Sequence, residues 1–352
     1  MPSTRGSKRV KTSHPPSPSI STALSLPPQP SVDSDKMSLP SPNMSLTGHT
    51  SSVYSIAFAP PPLDASDSPP SLSMASGGYD GSILLWSLSP RSVQNYNVIT
   101  SFKNAVTSLQ YTSPSTLLAS SADKSVSFID SEACIRIRKY THHTSVVNDV
   151  SHDPTTSSCY SVSDDRMLCG FDARCKGTTF KVKHEYQITA VAAGGGRVYT
   201  AGVDNVIRAW DARKLVGDDD DSPIFTLSGH TDTPTGLCIG GTTSSLLYSN
   251  AMDNTIRAWD ISPYSSNPTR CTWVKEGVVK HDSEKRLLRI SYNSNNTLTP
   301  GSSDGIVNVM DGESGDVLFK LPGHKGAVTD AKVFKGVLAS AGVDRQVIIG
   351  EL

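Results

Sequence analysis

Between Ser249 and Asp260 the chain reads Ser-Asn-Ala-Met-Asp-Asn-Thr-Ile-Arg-Ala-Trp-Asp. Ile256 and Ala258 fall on one face and Thr255 and Arg257 on the other, a period of two that predicts a β-strand. Asp253-Asn254 predicts a tight turn, with a second strand before it. The same pattern returns along the chain as edited copies. The turn aspartates are Asp80, Asp123, Asp165, Asp204, Asp253, Asp304 and Asp344, spaced by 39 to 51 residues. Six residues after each stands Trp86, Ile129, Phe171, Trp210, Trp259, Met310 or Gly350. A fixed offset inside every unit, with variable intervals between units, is the mark of a structural repeat.

Several units carry more of a common signature. Gly48-His49, Gly229-His230 and Gly323-His324 precede their units, Trp-Asp closes the units at Trp210 and Trp259, and Trp86 stands at the same place in the first. A Gly-His opening, a turn Asp and a Trp-Asp close resemble one blade of a WD-repeat propeller. Seven units of this kind predict an all-β, seven-bladed β-propeller over residues 44–352. A ring must join its first and last blades, because an open sheet edge is otherwise exposed. The last unit ends at its third strand, so Met44-Ser-Leu-Thr47 is expected to supply the missing outer strand.

Residues 1–43 break the pattern. They are rich in Ser and Pro, with few apolar side chains to offset the entropy of ordering, so a disordered tail is expected. Arg5, Lys8, Arg9, Lys11 and Lys36 against Asp33 and Asp35 make this tail +3, which leaves −4 on the remainder of a chain at −1. Lys8, Arg9 and Lys11 form a short basic cluster of the kind read by nuclear import receptors, or simply a solvated charge cluster. Ser17-Pro18 and Ser41-Pro42 suit proline-directed phosphorylation. Pro60–Pro70 is expected as a surface loop. No apolar run has signal-peptide or membrane-spanning length. The six cysteines show no CxxC pair and are expected as scattered, reduced core thiols.

His, Ser and Asp are the ingredients of a hydrolase triad. Here they repeat: His49, Ser76, Asp80 and Trp86; His184, Thr200, Asp204 and Trp210; His230, Ser249, Asp253 and Trp259. An active site is built once, whereas a device that holds each blade must recur. The resemblance to WD-repeat proteins implies that each set is a hydrogen-bonded tetrad linking the strands of its blade. Where the second blade lacks the His, Pro300 replaces the Ser or Thr, and Phe171, Met310 and Gly350 replace Trp, apolar packing is expected to do more. No P-loop, HExxH, GxSxG or metal-spaced Cys/His cluster is present. No cofactor, metal or small-molecule substrate is therefore expected, and no enzymatic activity.

Two features suggest partners. Phe171-Asp-Ala-Arg174 and Trp210-Asp-Ala-Arg213 match the Trp-Asp-x-Arg pattern by which receptors of cullin–RING ubiquitin ligases dock their adaptor; alternatively each arginine pairs with a neighbouring acid. Gly217-Asp-Asp-Asp-Asp221 is a solvated loop or a contact for a basic partner. A longer resemblance narrows the choice. Tyr248–Pro263, Gly202-Val-Asp-Asn-Val-Ile-Arg-Ala-Trp-Asp211, Leu321-Pro-Gly-His324 and the final Gly350-Glu-Leu resemble the U5 small nuclear ribonucleoprotein 40 kDa subunit family over residues 44–352. That resemblance implies a nuclear, non-catalytic splicing subunit that binds the large central U5 scaffold protein. A near-neutral propeller suits protein binding, so RNA association is expected to be indirect, through the particle.

Overall fold

The computed structural model describes residues 39–41, 43–61, 71–216, 222–241, 245–293 and 295–352. Lys8, Arg9, Lys11, the Ser17-Pro18 pair, most of the Pro60–Pro70 loop and the Asp218–Asp221 run lie outside them. Seven four-stranded antiparallel sheets follow one another along the chain, and among the described residues the only helix is a short 3₁₀ turn at Lys214–Val216. Six sheets use four consecutive strands. The seventh is completed from the other end of the chain: Asn43–Leu46 pairs antiparallel with Val347–Glu351, Met44 opposite Ile349. The closing strand starts one residue before the expected Met44. The packed unit reaches further back still, because Leu39 is buried between the first and last blades.

The turn that the aspartates predict is the same in every blade. The residue after each Asp adopts left-handed backbone: Gly81, Lys124, Arg166, Asn205, Asn254, Gly305 and Arg345 have φ between 60° and 77°. Only two of the seven are glycine, so the conformation is imposed by hairpin geometry and by the Asp side chain. In six blades the Asp Oδ1 accepts the N–H two residues on, at 3.0–3.3 Å. Blade four is the exception.

Apolar burial lies between blades. Each of seven buried clusters is shared by two neighbours, and the cluster of Leu46, Ile56, Trp86, Val337 and Ile349 closes the ring from blade seven to blade one. The seam between blades six and seven is the smallest, with only Val307, Val328, Ala331 and Leu338 fully buried. Polar bonds supplement it: Arg289 N–H to Thr329 O at 2.8 Å, and Ser302 and Val328 bonded to each other through their backbones.

A second belt runs around the central channel. In six blades the innermost strand bulges at one residue near its start. In five of these the side chain at that position donates to a carbonyl of the next blade. Thr107 reaches Val147 O at 2.6 Å, Asn148 reaches Ile188 O at 2.8 Å, and Thr189 reaches Pro234 O at 2.5 Å. Thr235 reaches Leu288 O at 2.8 Å, and Thr329 reaches Val53 O at 2.7 Å. A bulge leaves backbone carbonyls without a ladder partner, and a short hydroxyl or amide satisfies them.

Candidate functional site: blade tetrads, strand-end arginines and the channel

Blade one shows how its tetrad is built. Trp86 Nε1 donates to Ser76 Oγ at 2.9 Å, Ser76 Oγ lies 2.9 Å from His49 Nε2, and His49 Nδ1 lies 3.1 Å from Asp80 Oδ2. A neutral imidazole with its proton on Nδ1 satisfies every link in one direction, from Trp to Ser to His to Asp. Burial lowers the pKa of His49 below its ordinary value despite the nearby Asp80 carboxylate, which favours that neutral form. Burial pushes Asp80 upward, but hydrogen bonds from Ser82, from the Thr50 N–H and from His49 outweigh it and hold the carboxyl at about 2. Blade five repeats the chain, with Trp259 to Ser249 at 2.9 Å, Ser249 to His230 at 2.7 Å and His230 to Asp253 at 2.9 Å.

Blade four departs from the expected tetrad. Trp210 Nε1 does donate to Thr200 Oγ1 at 2.9 Å, but buried His184 Nε2 has no hydrogen-bond partner and its ring instead packs on Trp210, centroids 5.0 Å apart. Asp204 is taken by Arg208, whose Nη2 lies 2.6 Å from Oδ2, and its Oδ1 is unpartnered. The cause is local. In blades one and five a hydroxyl two residues after the Asp (Ser82, Thr255) bonds the carboxylate toward the His, at 2.5 and 2.7 Å. Blade four has Val206 there and Arg208 four residues after the Asp, and a guanidinium outcompetes a neutral imidazole for a carboxylate. Blades three and seven lack the hydroxyl too, but have no arginine at that position. Burial, and then the Arg208 charge, hold the His184 pKa down at about 4.

The blades expected to carry an incomplete tetrad divide as well. Blades three and seven keep three of its members. His143 lies 2.7 Å from Ser161 and 2.9 Å from Asp165, and His324 lies 2.8 Å from Ser340 and 3.0 Å from Asp344. Loss of the Trp leaves the His–Ser–Asp bonds intact, so the polar network does more in these two blades than expected. Blade two uses Lys139 on Asp123 at 3.2 Å. In blade six His281 turns to Asn250 of blade five, at 3.3 Å, and Asp304 pairs with Ser302 at 2.7 Å.

The two strand-end arginines point to solvent. Arg174 holds Asp172 with Nε at 3.0 Å and Nη2 at 2.5 Å, its side chain 78% exposed. Arg213 sits 3.4 Å from Asp211 and is 83% exposed. Each arginine caps the acid two residues before it, and that geometry adds nothing toward adaptor docking. All six cysteines are free; Cys159 and Cys169 are buried, whereas Cys175 is exposed, unlike the expected core thiols.

The innermost strands surround a channel holding a cavity of about 560 Å³. The channel carries a feature that the repeat pattern hid. Arg289 of blade six follows Leu288, whose carbonyl accepts from Thr235, in the blade whose inner strand shows no bulge. It reaches across to blades two and three, with Nη1 2.5 Å from Asp149 Oδ1 and Nη2 3.0 Å from Thr107 O and 2.6 Å from Asn148 O. Asp149 Oδ2 also accepts the Val191 N–H of blade four at 3.1 Å. Asp330 ties blade seven to blade one, accepting from Ile56 N–H at 2.9 Å and Ser55 Oγ at 3.1 Å. Among the described residues, no three His, Cys, Asp or Glu side chains gather as a metal-ligand set.

Seven four-stranded blades with a recurring His–Ser–Asp set and Trp-Asp strand ends define a WD-repeat β-propeller. The family model for the WD domain, G-beta repeat, matches residues 40–87, 134–172 and 221–260. The chain is 34% identical over 318 residues to the pre-mRNA-splicing factor cwf17 of Schizosaccharomyces pombe, covering 88% of each. It is 32% identical over 320 residues to the U5 small nuclear ribonucleoprotein 40 kDa protein of Dictyostelium discoideum, covering 88% of this chain and 84% of that one. With its Homo sapiens counterpart it is 34% identical over 331 residues, 90% of this chain and 85% of that protein. The chain belongs to the family of the U5 small nuclear ribonucleoprotein 40 kDa protein.

Proposed function

We propose that this chain is a non-catalytic interaction subunit of the U5 small nuclear ribonucleoprotein, acting in pre-mRNA splicing in the nucleus by binding the large central U5 scaffold protein. The observation that carries this reading is similarity to splicing proteins over 88% of the chain. The site chemistry is compatible with it. Each His–Ser–Asp set lies in a different blade, and in blades one and five Trp Nε1 donates to the serine. A serine committed to an indole and an imidazole inside a blade is a cross-strand tie, with no open position for substrate. In this reading Lys8, Arg9 and Lys11 direct nuclear import, and alanine at all three positions should leave a fluorescent fusion in the cytoplasm.

The test of the main reading is affinity purification of the tagged chain from nuclear extract. U5 RNA and its large scaffold protein should co-purify in stoichiometric amounts. Their absence, with the tagged chain folded and recovered, would sink the proposal.

A further inference from the structure

Residues 141–184, which form blade three, balance five acids (Asp149, Asp153, Asp164, Asp165, Asp172) against five bases (Arg166, Arg174, Lys176, Lys181, Lys183). The fold separates the two sets. Asp149 is paired to Arg289 in the channel, and Asp153 accepts from Thr155, Thr156 and the Gly196 N–H. Asp164 accepts from Asn148, Asp165 is held by His143, and Asp172 is covered by Arg174. The bases remain outside: Arg166, Lys176, Lys181 and Lys183 are exposed, and none is in an ion pair among the described residues.

Their arrangement is a line. The outer strand of blade three, Thr178–Lys183, buries Phe180 and Val182 toward blade four. Lys181 and Lys183 therefore project to the opposite face, about 7 Å apart for two residues along a strand. That face looks across an outer cleft to the edge of blade two, where Arg138 Nη1 donates to Ala173 O at 2.7 Å and to Cys175 O. Carbonyls satisfy its hydrogen bonds without neutralising its charge. Lys176 extends the line past the start of the strand, and Arg166, whose carbonyl accepts the His184 N–H at 2.7 Å, extends it past the end. Other outer strands differ: Val93–Ile99 has no charge, Phe225–Leu227 is three residues long, and Lys275 on Cys271–Glu276 is bonded to Asp316 at 2.8 Å.

We infer that the outer edge of blade three, from Lys176 through Lys181 and Lys183 to Arg166, binds the phosphodiester backbone of single-stranded RNA directly. A row of unpaired cations, with Glu185 as the one exposed acid beside its Arg166 end, complements a charged backbone and reads no base. An acidic polypeptide carries the same sign, but it is anchored mainly by its apolar side chains. From Lys176 to Lys183 the exposed residues are Lys, Gly and Thr, with Tyr186 the nearest exposed large apolar group in the chain beyond them. The choice of RNA rests on the splicing reading, since an RNA is what a ribonucleoprotein subunit meets. It replaces the expectation of indirect association, which followed from net charge alone.

The test measures anisotropy of a labelled oligouridine of about twenty nucleotides, long enough to run past one blade edge, against the full chain. The variant Lys176→Gln/Lys181→Gln/Lys183→Gln should bind at least tenfold more weakly at about 50 mM salt. Its slope of log Kd against log salt should drop by about 2, because each phosphate left without its lysine takes about 0.7 from the slope. A control with the same charge change at exposed sites elsewhere, Arg91→Gln/Lys320→Gln/Lys325→Gln, should stay within twofold of wild type, and all three proteins should melt alike. No binding by wild type, or equal losses in both variants, overturns the inference. So does tighter binding of oligoglutamate than of RNA at the same row. Co-purification of splicing proteins is read separately. If it fails while the row still governs RNA binding, the proposed function falls and this site stands; if it persists while wild type ignores RNA, the reverse holds.

Discussion

His184 and His230 occupy the same place in neighbouring blades and sit in opposite states. His230 is bonded at both nitrogens, to Ser249 and Asp253, whereas His184 Nε2 is buried without a partner. Removing Asp253 orphans a buried donor and a turn amide, so Asp253→Ala should cost about 1–3 kcal/mol in urea unfolding. His184→Phe removes an unsatisfied atom and keeps the ring on Trp210, so it should be neutral within about 1 kcal/mol or stabilising. Equal losses in the two variants would contradict the broken network in blade four. The same residue sets a pH dependence. Burial holds His184 and His281 at about 4 when folded, against about 6.5 unfolded. A base with a lowered folded pKa contributes fully above the unfolded value and loses that contribution as pH falls toward the folded one. Stability should therefore fall between about pH 6.5 and 4, by on the order of 3 kcal/mol for His184 alone. His184→Phe should flatten that part of the curve. Asp80, depressed to about 2, adds a later loss as pH falls below the ordinary carboxylate range.

Elements differ as much as residues do. Blade six has inner strands of only four residues, Ile290–Asn293 and Thr297–Pro300. Its second and third strands pair at just two positions, Thr297 with Asp311 and Leu298 with Met310. Pro300 has no N–H to continue the ladder, and the tetrad His has gone to blade five. The apolar seam to blade seven is also the smallest. These conditions define a low-stability unit. Native-state hydrogen exchange should show the amides of residues 290–311 exchanging before the corresponding segment of blade five, residues 236–260; uniform protection across both would refute this. The weakness was partly legible in Pro300 and Met310, whereas the two-pair ladder was not, because register depends on how neighbouring backbones meet.

At the scale of the whole ring, two devices oppose opening. One is the outer strand Asn43–Leu46 in the last blade, foreseen within one residue from the repeat phase. The other is the belt of Thr107, Asn148, Thr189, Thr235 and Thr329, with Arg289 crossing the channel where its blade has no such residue. Arg289→Met leaves the buried Asp149 carboxylate without its counterion and should cost about 3–5 kcal/mol. Asp149→Asn in the same chain should return much of that loss, because the residual charge is then gone. Additive losses in a double-mutant cycle would remove Arg289 from this role. The belt had a sequence signal, since Val106-Thr107-Ser108, Val147-Asn148-Asp149 and Val328-Thr329-Asp330 share phase. The pin had none beyond an arginine out of pattern.

What this sequence determined by itself is what repeats within a short span. Period-two alternation, the turn aspartates, the offset of six to the strand-end residue and the outer strand before the first blade specify seven blades and how they close. All but the closing strand act between residues close in the chain, so one blade's letters suffice to state them. The closing strand, which pairs Asn43–Leu46 with residues 347–350, follows from the phase of the repeat. Tertiary structure alone decided which partner each charged group takes. Arg208 captures Asp204 where Val206 offers no hydroxyl, Arg289 finds Asp149 across the channel, and blade three's acids turn inward while its bases stay out. The physical reason is that a charge's partner is chosen by distance and burial in three dimensions, and neither is a property of spacing along the chain.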